Sequence, residues 1–137
     1  MHSATDTFTL ANGNTIPCIG FGTWQAKGEA GRAAVLAALK AGYRHIDTAA
    51  AYGNEPEVGA AIAESGIPRD QIFLTTKLWN KQRGYASALA ACDESLKRLG
   101  TDYLDLFLIH WPANAKQFPD SCEEINQATW RAMETIL

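Results

Sequence analysis

Hydrophobic and polar positions change period several times along the chain, and each change predicts an element. Near the start, Phe8-Thr9-Leu10 and Thr15-Ile16 flank Ala11-Asn12-Gly13-Asn14. Asn-Gly between short apolar runs predicts a β-hairpin over about residues 7–17. From about residue 18 a strand-then-helix rhythm takes over, with strands predicted at Cys18–Phe21, Arg44–Asp47, Ile72–Lys77 and Leu104–His110. The helical stretches carry their own stops. Gly28–Ala41 ends at Gly42, and Asn54 stands as a cap before Glu55-Pro56-Glu57, with Gly66 beyond that helix. A third stretch, Tyr85–Leu99, sets Leu89, Cys92, Leu96 and Leu99 on one face and stops at Gly100. The fourth opens on the capping-box pattern Ser121-x-x-Glu124 and runs through Ile125, Met133 and Ile136 to Leu137. Strands alternating with helices predict an α/β fold with a parallel sheet.

Length narrows the architecture. A (β/α)₈ barrel takes about 250 residues, roughly 31 per strand–helix unit. The 137 residues therefore supply an N-terminal hairpin and about four parallel βα units over residues 18–137, the first half of such a barrel with its C-terminal half absent. An open doubly wound sheet of the same size is the plainer alternative. With 47% hydrophobic and 20% charged residues the chain reads as one globular unit. A net charge of −3 offers no basic field, which argues against nucleic acid and acidic membrane surfaces and favours small molecules. Three scattered cysteines, Cys18, Cys92 and Cys122, fit neither a disulfide framework nor a metal site. The start lacks a signal-peptide pattern, and the longest apolar stretch, Ala33–Leu39, is too short to span a bilayer. A cytoplasmic location is the expectation.

In α/β folds reactive groups gather beyond the carboxyl ends of the parallel strands. Those positions read Gly20-Phe21-Gly22-Thr23-Trp24, then Asp47 through Tyr52 to Glu55, then Lys77-Leu78-Trp79-Asn80, then His110-Trp111-Pro112. Taken singly, each has a structural explanation: Asp47 and Lys77 as an ion pair, Tyr52 as loop packing, His110 with its nitrogens on backbone. Their concurrence at one rim, ringed by Trp24, Trp79 and Trp111, reads instead as a pocket. A phenol serves as a proton donor near neutral pH when a cation lies close, and a carboxylate keeps that cation charged. A neutral imidazole beside them would orient a carbonyl oxygen. This set suits reduction of a carbonyl by hydride.

The segments Gly22-Thr23-Trp24, Gly42-Tyr43-Arg44-His45-Ile46-Asp47-Thr48-Ala49, Tyr52-Gly53-Asn54-Glu55, Leu74-Thr75-Thr76-Lys77 and Asp102-Tyr103-Leu104-Asp105-Leu106-Phe107-Leu108-Ile109-His110-Trp111-Pro112 resemble the aldo-keto reductases. That resemblance implies a (β/α)₈ barrel using a nicotinamide cofactor, usually NADPH with NADH left open, to reduce small aldehydes and ketones. It assigns the family's catalytic groups to Asp47, Tyr52, Lys77 and His110, with Tyr52 as general acid. Cofactor contacts fall on Gly22, Thr23 and Asp47, and substrate-pocket aromatics on Trp24, Trp79 and Trp111. The segment Ala113–Asp120 resembles the compact substrate loop of prokaryotic members. The family's later strands bring the residues that hold the carboxamide, stack on the nicotinamide and grip the adenosine phosphate, and none of them lies within these residues.

Other motifs fail. Gln25 stands where a dinucleotide fingerprint needs Gly, no P-loop occurs, and Tyr52 and Lys77 lie 25 positions apart, against one helical turn in short-chain dehydrogenases. Asp102 and Asp105 sit at the entrance of the fourth predicted strand and read as structural, Trp130 as helix packing, and His2 and His45 carry no assigned role. Two further readings stand beside the reductase: a non-catalytic cofactor-binding module, and a half barrel without activity of its own. Its two unpaired sheet edges and open apolar face would then favour self-association.

Overall fold

The structure, a computed structural model, describes residues 5–137. His2 lies outside them. Strands β1 (Thr7–Thr9) and β2 (Thr15–Pro17) form the expected antiparallel hairpin, with Phe8 opposite Ile16. Its turn is closed by the Leu10 amide on the Asn14 carbonyl at 2.7 Å and the Gly13 amide on the Leu10 carbonyl at 2.9 Å. The Cys18 amide donates to the Asp6 carbonyl at 2.8 Å and so continues the hairpin. For that reason the next strand, β3, is only Phe21–Gly22 rather than the predicted Cys18–Phe21.

The remaining elements alternate: α1 (Gly28–Lys40), β4 (His45–Asp47), α2 (Glu55–Glu64), β5 (Phe73–Leu78), α3 (Tyr85–Leu99), β6 (Leu106–Ile109) and α4 (Cys122–Ile136). The four strands run parallel in the order β3-β4-β5-β6, which is chain order. A doubly wound sheet reverses its order at a switch point, so that alternative falls. Successive helices pack on one another, α1 on α2, α2 on α3 and α3 on α4, forming one layer. This is a partial (β/α)₈ barrel preceded by a hairpin. None of the described helices is long and apolar enough to cross a membrane.

Side chains alternate along each strand, so one set meets the helices and the other the concave face. Ile46 and Leu74, fully buried, pack with Val35 and Leu39 of α1 and Val58, Ala61 and Ile62 of α2. Leu78 packs with Ala88 and Ala91 of α3 and Ala132 of α4. The intervening residues, His45 and Asp47 on β4 and Phe73, Thr75 and Lys77 on β5, are thereby committed to the concave side. On β6, Phe107 packs towards the helices, and Leu106 and Leu108 take the concave side, where Leu108 is exposed.

At the amino ends of the strands, Arg69 acts as a clamp. Its guanidinium donates to the Ile72 carbonyl at 2.5 Å, the Tyr103 carbonyl at 3.0 Å and Asp105 Oδ2 at 2.8 Å. It also stands 4.1 Å over the Tyr103 ring. Asp105 Oδ2 accepts the Leu74 amide at 2.8 Å as well, which fits the structural reading of that residue. These bonds occupy the approach to β6, which begins at Leu106 rather than Leu104.

Two helix readings are corrected. Ser121 precedes α4 but its side chain makes no capping bond, so the capping box does not form. Trp130 is exposed on the outer face of α4, its indole N–H donating to Glu134 at 3.1 Å, while Thr129 and Ala132 make the buried contacts.

Gly59 marks where α2 and α3 close together, because a Cβ there would lie 2.2 Å from the Leu99 carbonyl oxygen. Gly59→Ala is expected to destabilise the fold by about 1–3 kcal/mol through overpacking against backbone. The denaturant midpoint measures this, and a parental midpoint would show that the crossing tolerates a methyl group.

Candidate active site

The rim is assembled by the ends of β4, β5 and β6. Asp47 closes β4, and its carbonyl accepts the Thr23 amide at 2.9 Å, carrying the pairing with β3 one residue past Gly22. Thr48, next in line, donates its amide to the Thr75 carbonyl at 2.9 Å. The chain then makes a single 3₁₀ turn over Ala50–Tyr52 that rests on fully buried Ala49. Gly53 leaves this turn at φ 67°, a left-handed conformation that glycine adopts without steric cost. Tyr52 is thus held at a turn fixed on both sides rather than on a free loop.

Lys77 projects from the same concave side of β5. Its Nζ donates to Asp47 Oδ1 at 2.5 Å and to the Thr48 carbonyl at 2.9 Å. It stands 5.2 Å from the centroid of the Tyr52 ring, within cation–π range. The Tyr52 and His110 rings meet edge to face at 5.7 Å, and His110 meets Trp79 in the same way at 5.6 Å. The His110 amide donates to the Leu78 carbonyl at 3.2 Å and so fixes the end of β6 against β5.

Asp47, Lys77, Tyr52, His110 and Trp79 therefore form one contiguous set. Trp24 and Trp111 stay on the rim, 69% and 63% exposed, without ring contacts to that set. Gly22 lies beside Asp47 in the sheet, and open space stands where its side chain would be. Thr23 is fully buried, and its hydroxyl has no hydrogen-bond partner among the described residues.

Burial pushes the His110 imidazole below the usual histidine range, and the Lys77 charge pushes it the same way against a smaller opposing pull from Asp47. The ring is accordingly neutral at pH 7, carrying one N–H. Its Nδ1 is buried without a partner among the described residues. One pleat below, His45 bonds through Nε2 to the Thr75 hydroxyl at 3.0 Å and packs edge to face on Phe73 at 5.1 Å. A Cβ on Gly20 would come 2.7 Å from its Nδ1, so His45 forms part of the packed floor under Asp47.

Two polar fasteners behind the rim escape the sequence reading. The Asn54 side chain does not cap α2, as the sequence predicts, but reaches the carbonyls of Thr23 and Ala26. Glu55, 1% exposed, accepts from the Thr76 hydroxyl at 2.7 Å and from Arg98 Nε at 2.7 Å. Both follow directly on Tyr52-Gly53, but the Thr23 and Ala26 carbonyls that Asn54 grips and both partners of Glu55 lie 21 or more positions away, beyond any local spacing signal.

The family model described as Aldo/keto reductase family matches residues 18–136. The chain belongs to that family. An aldo-keto reductase of Mycolicibacterium smegmatis is 64% identical over 104 residues, covering 76% of this chain and 38% of that protein. The crystal structure of an aldo/keto reductase from Brucella melitensis superposes with a TM-score of 0.87 at 54% identity, covering 96% of this chain and 49% of that one. A Bombyx mori aldo-keto reductase, solved in complex with NADP, superposes with a TM-score of 0.85 at 41% identity, covering 97% of this chain and 47% of that one. The aldo/keto reductase chain described here spans less than half the length of the curated relatives it matches.

The depressed His110 sets a pH expectation. Because the fold favours the neutral ring, His110 costs nothing above about pH 6.5 and subtracts stability as the pH falls below that value towards its folded pKa. A ring-proton NMR titration should place its midpoint below about 6.5 and move it upward in Lys77→Met, which removes the repelling charge. A midpoint unmoved by that substitution would show that Lys77 is not felt at the imidazole.

Proposed function

We propose that this chain carries the proton-transfer half of an NADPH-dependent carbonyl reductase, acting on small aldehydes and ketones in the cytoplasm. The observation that carries the reading is the contiguous rim set of Asp47, Lys77, Tyr52 and His110, in which an ammonium stands beside a phenol and a neutral imidazole meets that phenol ring edge to face. The free cysteines accord with a reducing compartment.

The residues present fit a nicotinamide cofactor on this side of the barrel. Gly22 leaves its backbone open beside Asp47, so a flat ligand has room to lie against the strand end. Gly22, Thr23 and Asp47 would hold this part of it. When bound, a reduced nicotinamide supplies hydride to the carbonyl carbon. Tyr52 gives its hydroxyl proton to the carbonyl oxygen, and the Lys77 ammonium favours the phenolate left behind. Asp47 keeps the ammonium in place at 2.5 Å and offsets the cost of its partial burial. The imidazole N–H of His110 hydrogen-bonds the carbonyl oxygen and orients it for that transfer. Trp79 packs on His110 and walls the site, while Trp24 and Trp111 flank the opening for the substrate's apolar part.

The described residues contribute four of the eight strands a closed barrel needs. We therefore expect the chain on its own to bind NADPH weakly, to turn nothing over and to self-associate through the edges β3 and β6. Sedimentation combined with an NADPH titration tests this, and a monomer with stoichiometric binding would overturn it.

The chemistry is tested by grafting residues 1–137 in place of the corresponding half of the Brucella melitensis reductase. In that barrel Tyr52→Phe should lower kcat for a simple aldehyde about a thousandfold, with NADPH affinity within about twofold of the parent. Parental turnover by the phenylalanine variant would remove Tyr52 from the proton transfer.

A further inference from the structure

We infer that Asn54 is a positioning residue that ties the Trp24 loop to the Lys77 ammonium through Thr48. This rests on the reductase reading above and adds to it a residue that touches neither substrate nor cofactor. The Asn54 side chain is 1% exposed and uses both ends of its amide. Its Nδ2 donates to the Thr23 carbonyl at 2.8 Å and to the Ala26 carbonyl at 2.8 Å. Its Oδ1 accepts the Thr48 hydroxyl at 3.0 Å. The carbonyl of that same Thr48 accepts Lys77 Nζ at 2.9 Å. One amide thus braces the loop after β3 and, through a single residue, one of the two acceptors that hold the ammonium.

The loop has a specific need for such a brace. Gln25, between the two carbonyls that Asn54 grips, sits at φ 66° and is the one non-glycine residue with a left-handed backbone among the described residues. That conformation is uncommon for a residue with a Cβ and persists where its surroundings enforce it. The Ala26 amide on the Thr23 carbonyl, at 3.0 Å, closes the same turn from within the backbone. Asn54 is the side chain that reaches both ends of it. Trp24, highly exposed, has no ring contact among the described residues to hold its position, so where its indole stands depends on this turn.

The grafted barrel provides the test, with two near-isosteric variants that separate the two arms. Asn54→Asp keeps an acceptor for Thr48 but sets an oxygen against the Thr23 and Ala26 carbonyls. It should speed hydrogen exchange of the segment containing Ala26 about tenfold or more and weaken NADPH binding about tenfold. Thr48→Val removes only the hydroxyl bond. It should lower kcat about tenfold, leaving NADPH affinity within about twofold and loop exchange at the parental rate. Should Asn54→Asp fail to fold, Asn54→Ser, too short to grip the loop, takes its place with the same expected result.

Parental loop exchange in the Asn54 variants, or parental kcat in Thr48→Val, would overturn the proposal. An equal loss of affinity and turnover in both variants would also overturn it, because that marks general destabilisation rather than two separable arms. If the unsubstituted graft reduces no aldehyde, the reductase reading fails, whereas the exchange result still decides whether Asn54 holds the loop.

Discussion

Parallel strand pairing with a side-chain period of two is the constraint on which the rest of this chain depends. Register sets Asp47 opposite Thr75. Lys77 then lies two residues further along β5 on the same face, where its ammonium reaches back to the carboxylate at 2.5 Å. A slip of one residue would turn Lys77 into the helix layer and Leu78 into the opening, exchanging a buried leucine for a buried charge. The register is fixed by the apolar set facing the helices, Ile46 and Leu74 against α1 and α2 and Leu78 against α3. Hydrophobic burial on one side of the sheet therefore determines the electrostatics on the other. Removing either member of the Asp47–Lys77 pair would leave a partly buried charge uncompensated, so the site is sensitive to changes in a way its exposed tryptophans are not.

What was legible in the sequence is what period, composition and strand-end position encode. The four parallel strands, the four helices and the hairpin emerge in the predicted order because each element announces itself within its own residues. The gathering of Asp47, Tyr52, Lys77 and His110 at one rim follows from reading the carboxyl end of each strand. Boundaries were less legible. Cys18 reads as strand, but its amide is already engaged by Asp6, and Leu104 reads as strand although Arg69 has captured the residues on both sides of it. Asn54 and Ser121 look like helix caps by type and place, yet neither side chain caps. Asn54 finds partners across 28 and 31 positions, and no local rule weighs a distant carbonyl against a near amide. Trp130 reads as helix packing yet stands exposed, because a single aromatic on a helix carries no signal of which face meets the core.

The rim also poses a physical problem that apolar packing does not solve. Loops at the carboxyl ends must present polar groups to a ligand, so they bury little apolar surface of their own. Here they are fastened by long or amide side chains that donate to loop carbonyls. Asn54 holds Thr23 and Ala26, and Arg83 holds the carbonyls of Trp111 and Pro112, each at 3.0 Å. Asn126 pairs with both the amide and the carbonyl of Ala113, at 2.7 and 2.9 Å. In each case the fastener comes from a different element than the loop it holds. Such a bond contributes modestly when made, but at Asn54, 1% exposed, losing one partner leaves a buried polar group unsatisfied at about 1–3 kcal/mol, whereas the Arg83 bonds lie open to solvent and carry no such penalty. Behind Trp24 the rim is thus kept in place by the cost of an orphaned amide more than by the gain of any contact, which holds the loop after β3 without filling the space in front of it.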